Sequence, residues 1–238
     1  MLFRSYSEYA RVPSDFLFRL PAGVDYKQAL VLSAGVTAAM GLRQLEKNDL
    51  TPQRGPVLVT GATGGVGSLT VSLLSRRGYT VAASTGKPDA QDYLRQLGAS
   101  EILSREETEA ESMRPLEAER WAGSIDTVGG ATLAYLMRTT KKGGAIAAIG
   151  VAGGAVFRAT VLPLILRGIK VLGIDMPSTP LQMRRELWEE MIGEATLLSL
   201  VDAIASEVAL EDIPRVTQAM LGGQTRGRVL VRLNAQCV

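Results

Sequence analysis

The residues best placed to do chemistry are a cluster of glycines. In VLVTGATGGVGSLTVSLLSRRGYTVAASTGK, residues 57 to 87, an apolar strand ends at Thr60 and is followed by Gly61, Gly64, Gly65 and Gly67. A helix with Leu69, Val71, Leu73 and Leu74 on its apolar face then ends before Gly78, and a second strand follows. That order is a mononucleotide-binding unit. Glycine serves three ends in it: a tight turn, approach of backbone to a pyrophosphate without a Cβ in the way, and close helix-to-strand packing at Gly67. The free N–H groups and positive dipole end of the helix bind phosphates. Ala62, Thr63, Gly64, Gly65, Val66 and Gly67 are therefore the candidate diphosphate residues, the alternative being glycines that serve only a packed turn.

The dinucleotide is chosen at the end of the second strand. NAD-specific folds place a carboxylate there, about 20 residues past the glycines, to hold the ribose 2′-hydroxyl. Here the strand runs out as Ser84-Thr85-Gly86-Lys87, with Lys87 lying 20 residues past Gly67. A carboxylate would repel a 2′-phosphate, whereas the hydroxyls of Ser84 and Thr85 and the ammonium of Lys87 attract one. The expected cofactor is NADP(H), and the alternative for Lys87 is a solvated surface lysine. Asp89 reads as an early-helix acid. Further along, Val128-Gly129-Gly130 and Ile149-Gly150-Val151-Ala152-Gly153-Gly154 put glycine at two more strand ends, so Gly150 and Val151 join the candidate cofactor residues. Ordinary turns explain these glycines equally well. Asp126, inside a strand, reads as a buried structural hydrogen-bonder.

Two absences narrow the chemistry. The 238 residues include no histidine, and the one cysteine is Cys237. Ser-His-Asp and Cys-His catalysis and His- or Cys-ligated zinc sites cannot be assembled from these residues, and no metal is expected. A formal charge of +2 without a long basic run gives no reason to invoke nucleic acid. Apolar runs such as 161–166 stop well short of the roughly 20 residues of a membrane span. The N-terminus lacks an apolar stretch ending in a small-residue cleavage site, so the expected location is the cytoplasm and no membrane partner is foreseen.

Six β-rich runs must position these residues: 57–60, 80–84, 101–103, 124–128, 145–149 and 170–174. Several are apolar throughout, as strands covered by helices on both faces should be. The fold class read from them is α/β, a doubly wound parallel Rossmann sheet. Residues 1–24, with Tyr6, Tyr9, Val12, Phe16, Phe18 and Leu20 between prolines, look like irregular β structure from something else. GRVLVRL at 227–233 alternates as a strand, so the two chain ends could pair in a small β module.

TGATGGVG at 60–67 also matches the TGxxxGxG pattern of short-chain dehydrogenases, but no tyrosine here is followed four residues later by the lysine that those enzymes need. Nearly the whole chain instead resembles the zinc-independent medium-chain dehydrogenase/reductases, in particular the quinone-oxidoreductase-like branch that includes acrylyl-coenzyme A reductases. The likeness is carried by SEYARVP at 7–13, the GATGGVG loop, STGK at 84–87, YLRQLGAS at 93–100 and WAGSIDTVGG at 121–130. It continues through TVLPLILRGIKVLGID at 160–175, RRELW at 184–188 and GRVLV at 227–231.

The resemblance implies reduction of an activated C=C bond, in an acrylyl-CoA-like enoyl thioester or a quinone, by hydride from NADPH and without zinc. It implies that residues 25–205 form the NADP-binding domain. Residues 1–24 and 206–238 are then a remnant of a GroES-like substrate domain, most of which precedes the point where this sequence starts. The family also implies a homodimer paired along the strand at 171–175. No catalytic residue is nominated, and a binding module without turnover is the rival reading.

Overall fold

The computed structural model describes residues 6–233 apart from Glu8 and Phe18, so those two and Cys237 lie outside the described residues. The chain enters the fold through α1 (Tyr26–Glu46), whose start is fixed by a capping box: Asp25 Oδ1 accepts the Gln28 N–H at 2.7 Å while the Gln28 side chain accepts the Asp25 N–H. Strand β1 (Val57–Val59) leads to α2 (Gly65–Arg76), β2 (Val81–Thr85), α3 (Gln91–Gln96), β3 (Glu101–Ser104) and α4 (Arg105–Glu109). The second half follows as β4 (Trp121–Asp126), α5 (Gly130–Thr139), β5 (Thr140–Ala148), α6 (Leu162–Arg167) and β6 (Lys170–Gly173). The six strands are parallel in the order β3-β2-β1-β4-β5-β6. That is the doubly wound order, with its crossover between β1 and β4, as the apolar runs led one to expect.

Each face of the sheet has its own core. On one side α1 and α2 bury Leu32, Leu42, Leu69 and Leu73 against Val57, Val59, Val81 and Ile125. On the other, α5 lays Leu133, Leu136 and Met137 on Leu58, Leu103, Trp121 and Ile146. Residues alternate sides along β1, so Val57 and Val59 serve one core and Leu58 the other. All three are fully buried, which is why the segment shows no polar alternation.

Strand β5 begins five residues earlier than its apolar run. The stretch Lys141-Lys142-Gly143-Gly144 forms a bulge, with Gly143 at φ +70°, between the pairs Trp121–Thr140 and Gly123–Ala145. Its lysines disguised the extension.

After β6 come α7 (Leu181–Gly193), two short helices α8 (Ala195–Leu198) and α9 (Val201–Ile204), then β7 (Ala205–Ala209), α10 (Ile213–Leu221) and β8 (Arg228–Arg232). Strand β8 pairs in parallel with β7, and the described N-terminal residues contribute one 3-10 turn, Ser14–Phe16, and no strand. Helix α7 packs on α1 through buried Leu187 and Met191 rather than covering β6. Glu186 and Glu190 of that helix hold Arg43, and Glu190 also holds Arg77.

Leu42 is fully buried where α1 meets the sheet, so Leu42→Ala is expected to lower unfolding stability by about 2–5 kcal/mol, read as a shifted urea midpoint with an unchanged slope.

Candidate cofactor site

Gly61 opens the loop at φ +57°, a left-handed conformation that glycine adopts without strain. Ala62, fully buried, donates its N–H to Ser84 O at 3.0 Å and ties the loop to β2. The third glycine is explained by contact. A Cβ on Gly67 would collide with Gly61 O and stand 2.7 Å from Ala62 Cα, so only glycine lets α2 begin this close to the loop. The N-cap of α2 is Gly64, no side chain caps the helix and its first turn carries no acid, so the positive end stays open to an anion.

At the end of β2 the expected residues come together. Thr63 Oγ1 lies 3.3 Å from Thr85 Oγ1 and accepts from Lys87 Nζ at 3.1 Å, while Ser84 Oγ meets Thr108 Oγ1 at 2.8 Å. Sequence reading missed Arg105, whose guanidinium would lie 2.7 Å from a Cβ on Gly86 and which lines the same cavity as Lys87. Its signal was faint: one arginine after a serine cap, separated from Lys87 by a whole helix. The Lys87 ammonium has its pKa pushed below the ordinary 10.5, first by burial and then by the charge of Arg105, with Asp89 opposing weakly. Two cations and one carboxylate, Glu109, which stands 4.0 Å from Arg105, line this space, so its net positive charge favours an anion.

The other wall comes from β4. Asp126, fully buried, accepts from Thr60 Oγ1 at 2.5 Å and from the N–H groups of Val128 and Gly129 at 3.1 and 3.0 Å. Burial raises its pKa above the ordinary 3.8, against the pull of those three hydrogen bonds. Thr127 completes the joint by donating its N–H to Thr60 Oγ1 and its hydroxyl to Thr60 O. The reading of Asp126 as a structural hydrogen-bonder therefore holds: it locks the end of β1 to the turn after β4.

The resulting cavity, about 240 Å³, is lined by Gly61, Thr63 and Gly64, by Ser84 to Lys87, and by Thr127, Val128, Ala152 and Gly153. Gly150 and Val151 lie beside it, and Gly150 has a packing reason of its own, since a Cβ there would meet Thr127 O at 2.5 Å. Thr132, in the first turn of α5, lines the cavity with a buried hydroxyl that has no hydrogen-bond partner among the described residues.

A strap from the C-terminal part of the chain closes the far side. Gly223 and Thr225 line the cavity, Gly227 donates its N–H to Thr63 O at 2.8 Å, and Arg226 stacks 4.4 Å over the Tyr93 ring. These contacts link distant positions and left no local pattern in the sequence.

A glycine cradle, an uncapped helix start, a pair of cations and an orphaned hydroxyl together fit a phosphorylated dinucleotide. No carboxylate occupies the end of β2. The donor set suits the 2′-phosphate of NADP(H).

Comparison with known proteins agrees. Residues 65–196 match the family described as zinc-binding dehydrogenase. The chain is 46% identical over 231 residues to the acrylyl-CoA reductase AcuI of Ruegeria pomeroyi, covering 97% of this chain and 70% of that protein. It is 46% identical over 228 residues to YhfP of Bacillus subtilis, provisionally named a quinone oxidoreductase, covering 95% of this chain and 69% of the relative. A crystal structure of Escherichia coli K-12 YhdH with bound NADPH superimposes with a TM-score of 0.88 at 41% identity, over 94% of this chain and 69% of the other. The crystal structure of Bacillus subtilis yhfP with NAD bound gives 0.85 at 45% identity, over 95% and 69%. The chain belongs to the zinc-independent branch of the medium-chain dehydrogenase/reductases that contains the quinone oxidoreductases and acrylyl-CoA reductases.

Proposed function

We propose that the chain reduces an activated C=C bond, in an enoyl thioester or a quinone, with NADPH as reductant. The observation that carries this is the pocket beside the glycine cradle in which the end of β2 bears Ser84, Thr85 and Lys87 and no carboxylate, in a chain 46% identical to an acrylyl-CoA reductase. NADPH, when bound, supplies the hydride. The protein binds, orients and excludes water: Ala62 to Gly67 and the start of α2 hold the diphosphate, and Ser84, Thr85, Gly86 and Lys87 hold the 2′-phosphate with Arg105. Gly150 and Val151 border the nicotinamide half, and the Asp126–Thr60 joint keeps both walls in register. Residues 25–205 then act as the cofactor unit, with 1–24 and 206–238 as the part of a substrate domain carried here.

No helix among the described residues is long and apolar enough to cross a membrane, and we place the protein in the cytoplasm. A homodimer along β6 is supported by that strand's position at the sheet edge and by the exposed apolar side chains of Leu164, Ile165, Leu166 and Val171 around it.

Steady-state oxidation of NADPH is expected with acrylyl-CoA or a quinone, and cofactor binding without turnover would leave a binding module. Lys87→Glu and Arg105→Gln should each weaken NADPH roughly 10- to 100-fold and leave NADH nearly unchanged in fluorescence titrations. Phosphate beside Lys87 restores its lowered pKa, so NADPH affinity should be full at neutral pH. It should fall as pH climbs through the free protein's depressed value toward that of the complex, while NADH affinity stays flat. Sedimentation should find a dimer that Ile165→Glu converts to monomer.

A further inference from the structure

One side chain of the cofactor cavity carries the wrong charge for a phosphorylated ligand. Among the described residues that line the cavity, Glu109 is the single carboxylate, and it stands at the end of α4, one helical turn past Arg105. Its Oε1 lies 4.0 Å from Arg105 Nε and would lie 3.9 Å from a Cβ on Gly153. The same oxygen therefore faces both α4 and the loop after β5, on the cavity side of the helix.

The Arg105 guanidinium is laid across Gly86 at the end of β2, where a Cβ would stand 2.7 Å from it. Its side chain donates no hydrogen bond among the described residues, and 4.0 Å is too long for one to Glu109. Charge alone joins the pair. Arg105 is 54% exposed, and an ion pair so open to solvent is weak. The guanidinium fork is thus available to an incoming anion, and a doubly charged phosphate that takes two parallel hydrogen bonds displaces a single distant carboxylate. Glu109 is then left without its counter-ion in a cavity that has gained negative charge, and like charges repel.

Resting on the reading in which Lys87 and Arg105 hold the 2′-phosphate, we propose that Glu109 is a specificity-determining residue that works against that phosphate. It pairs with Arg105 while the site is empty, lowers the affinity for NADP(H) relative to NAD(H), and takes the guanidinium back as the oxidised nucleotide leaves. NADP⁺ departs with the same 2′-phosphate with which NADPH arrives, so a carboxylate that loosens both keeps exchange fast. A carboxylate that only oriented Arg105 would need a hydrogen bond to hold the guanidinium, and its removal would weaken NADPH binding rather than strengthen it.

Fluorescence titration and stopped-flow release of NADPH and NADH from the full chain test this. Glu109→Gln, which keeps the size and removes the charge, should tighten NADPH about three- to tenfold and slow its release by a similar factor, with an effect that shrinks as salt is raised. NADH affinity should stay within about twofold. Glu106→Gln removes a charge from the same helix outside the cavity and should change neither nucleotide. In an Arg105→Gln background the gain from Glu109→Gln should fall below about twofold. NADPH affinity that is unchanged or weaker in Glu109→Gln, equal tightening of NADH, a like effect of Glu106→Gln, or a gain undiminished without Arg105 overturns the proposal. The reading beneath it fails on different variants. Full NADPH affinity in both Lys87→Glu and Arg105→Gln would move the phosphate elsewhere, whereas weakened binding in those two with no gain in Glu109→Gln sinks the role of the carboxylate alone.

Discussion

Everything at the cofactor site depends on how closely a helix can approach the loop that precedes it. Helix α2 starts against the backbone of Gly61 and Ala62, a separation set by the missing side chain of Gly67. From that contact follow the direction of the helix axis, the place where its unpaired N–H groups point and the height of the loop above β2. The hydrogen bond from Ala62 N–H to Ser84 O then carries the alignment into β2, just ahead of Lys87. One absent methyl group thus sets both where α2 begins and how far its start lies from Lys87.

The electrostatic design is compensation deferred. Lys87 and Arg105 line one cavity, and the lysine's pKa is lowered first by burial and then by the neighbouring guanidinium. Asp126 shows the opposite strategy: a carboxylate withdrawn from solvent and answered at once by a hydroxyl and two backbone N–H groups. The first group awaits a partner from outside, and the second is part of the frame.

Much of the fold was legible in the sequence because buried parallel strands write themselves as short, uninterrupted apolar runs. All six were found, and their edges were misplaced where the chain bulges, as at Lys141 to Gly144. The glycine loop, Ser84, Thr85 and Lys87 were legible because the mononucleotide unit is local: every member lies within one strand, turn, helix and strand. Arg105, Thr132, Gly223 and Thr225 were not, since they reach the cavity from α4, α5 and the loop before β8 and carry no periodicity that marks them. The pairing of β8 with the N-terminal residues, suggested by the alternation at 227–233, is corrected by the structure, in which β8 pairs with β7: an alternating strand declares which faces it has and not what it pairs with.

The hydrogen bond from Gly227 to Thr63, and the stacking of Arg226 on Tyr93, have a temporal meaning as well. A ribosome makes the glycine loop well before the strap that walls it, so the cradle cannot be finished until residues 223–227 have followed. Contacts so remote along the chain close slowly. The core beneath α5, built only from residues 58–169, can close before the cradle does, whereas the core beneath α1 also waits for Leu230.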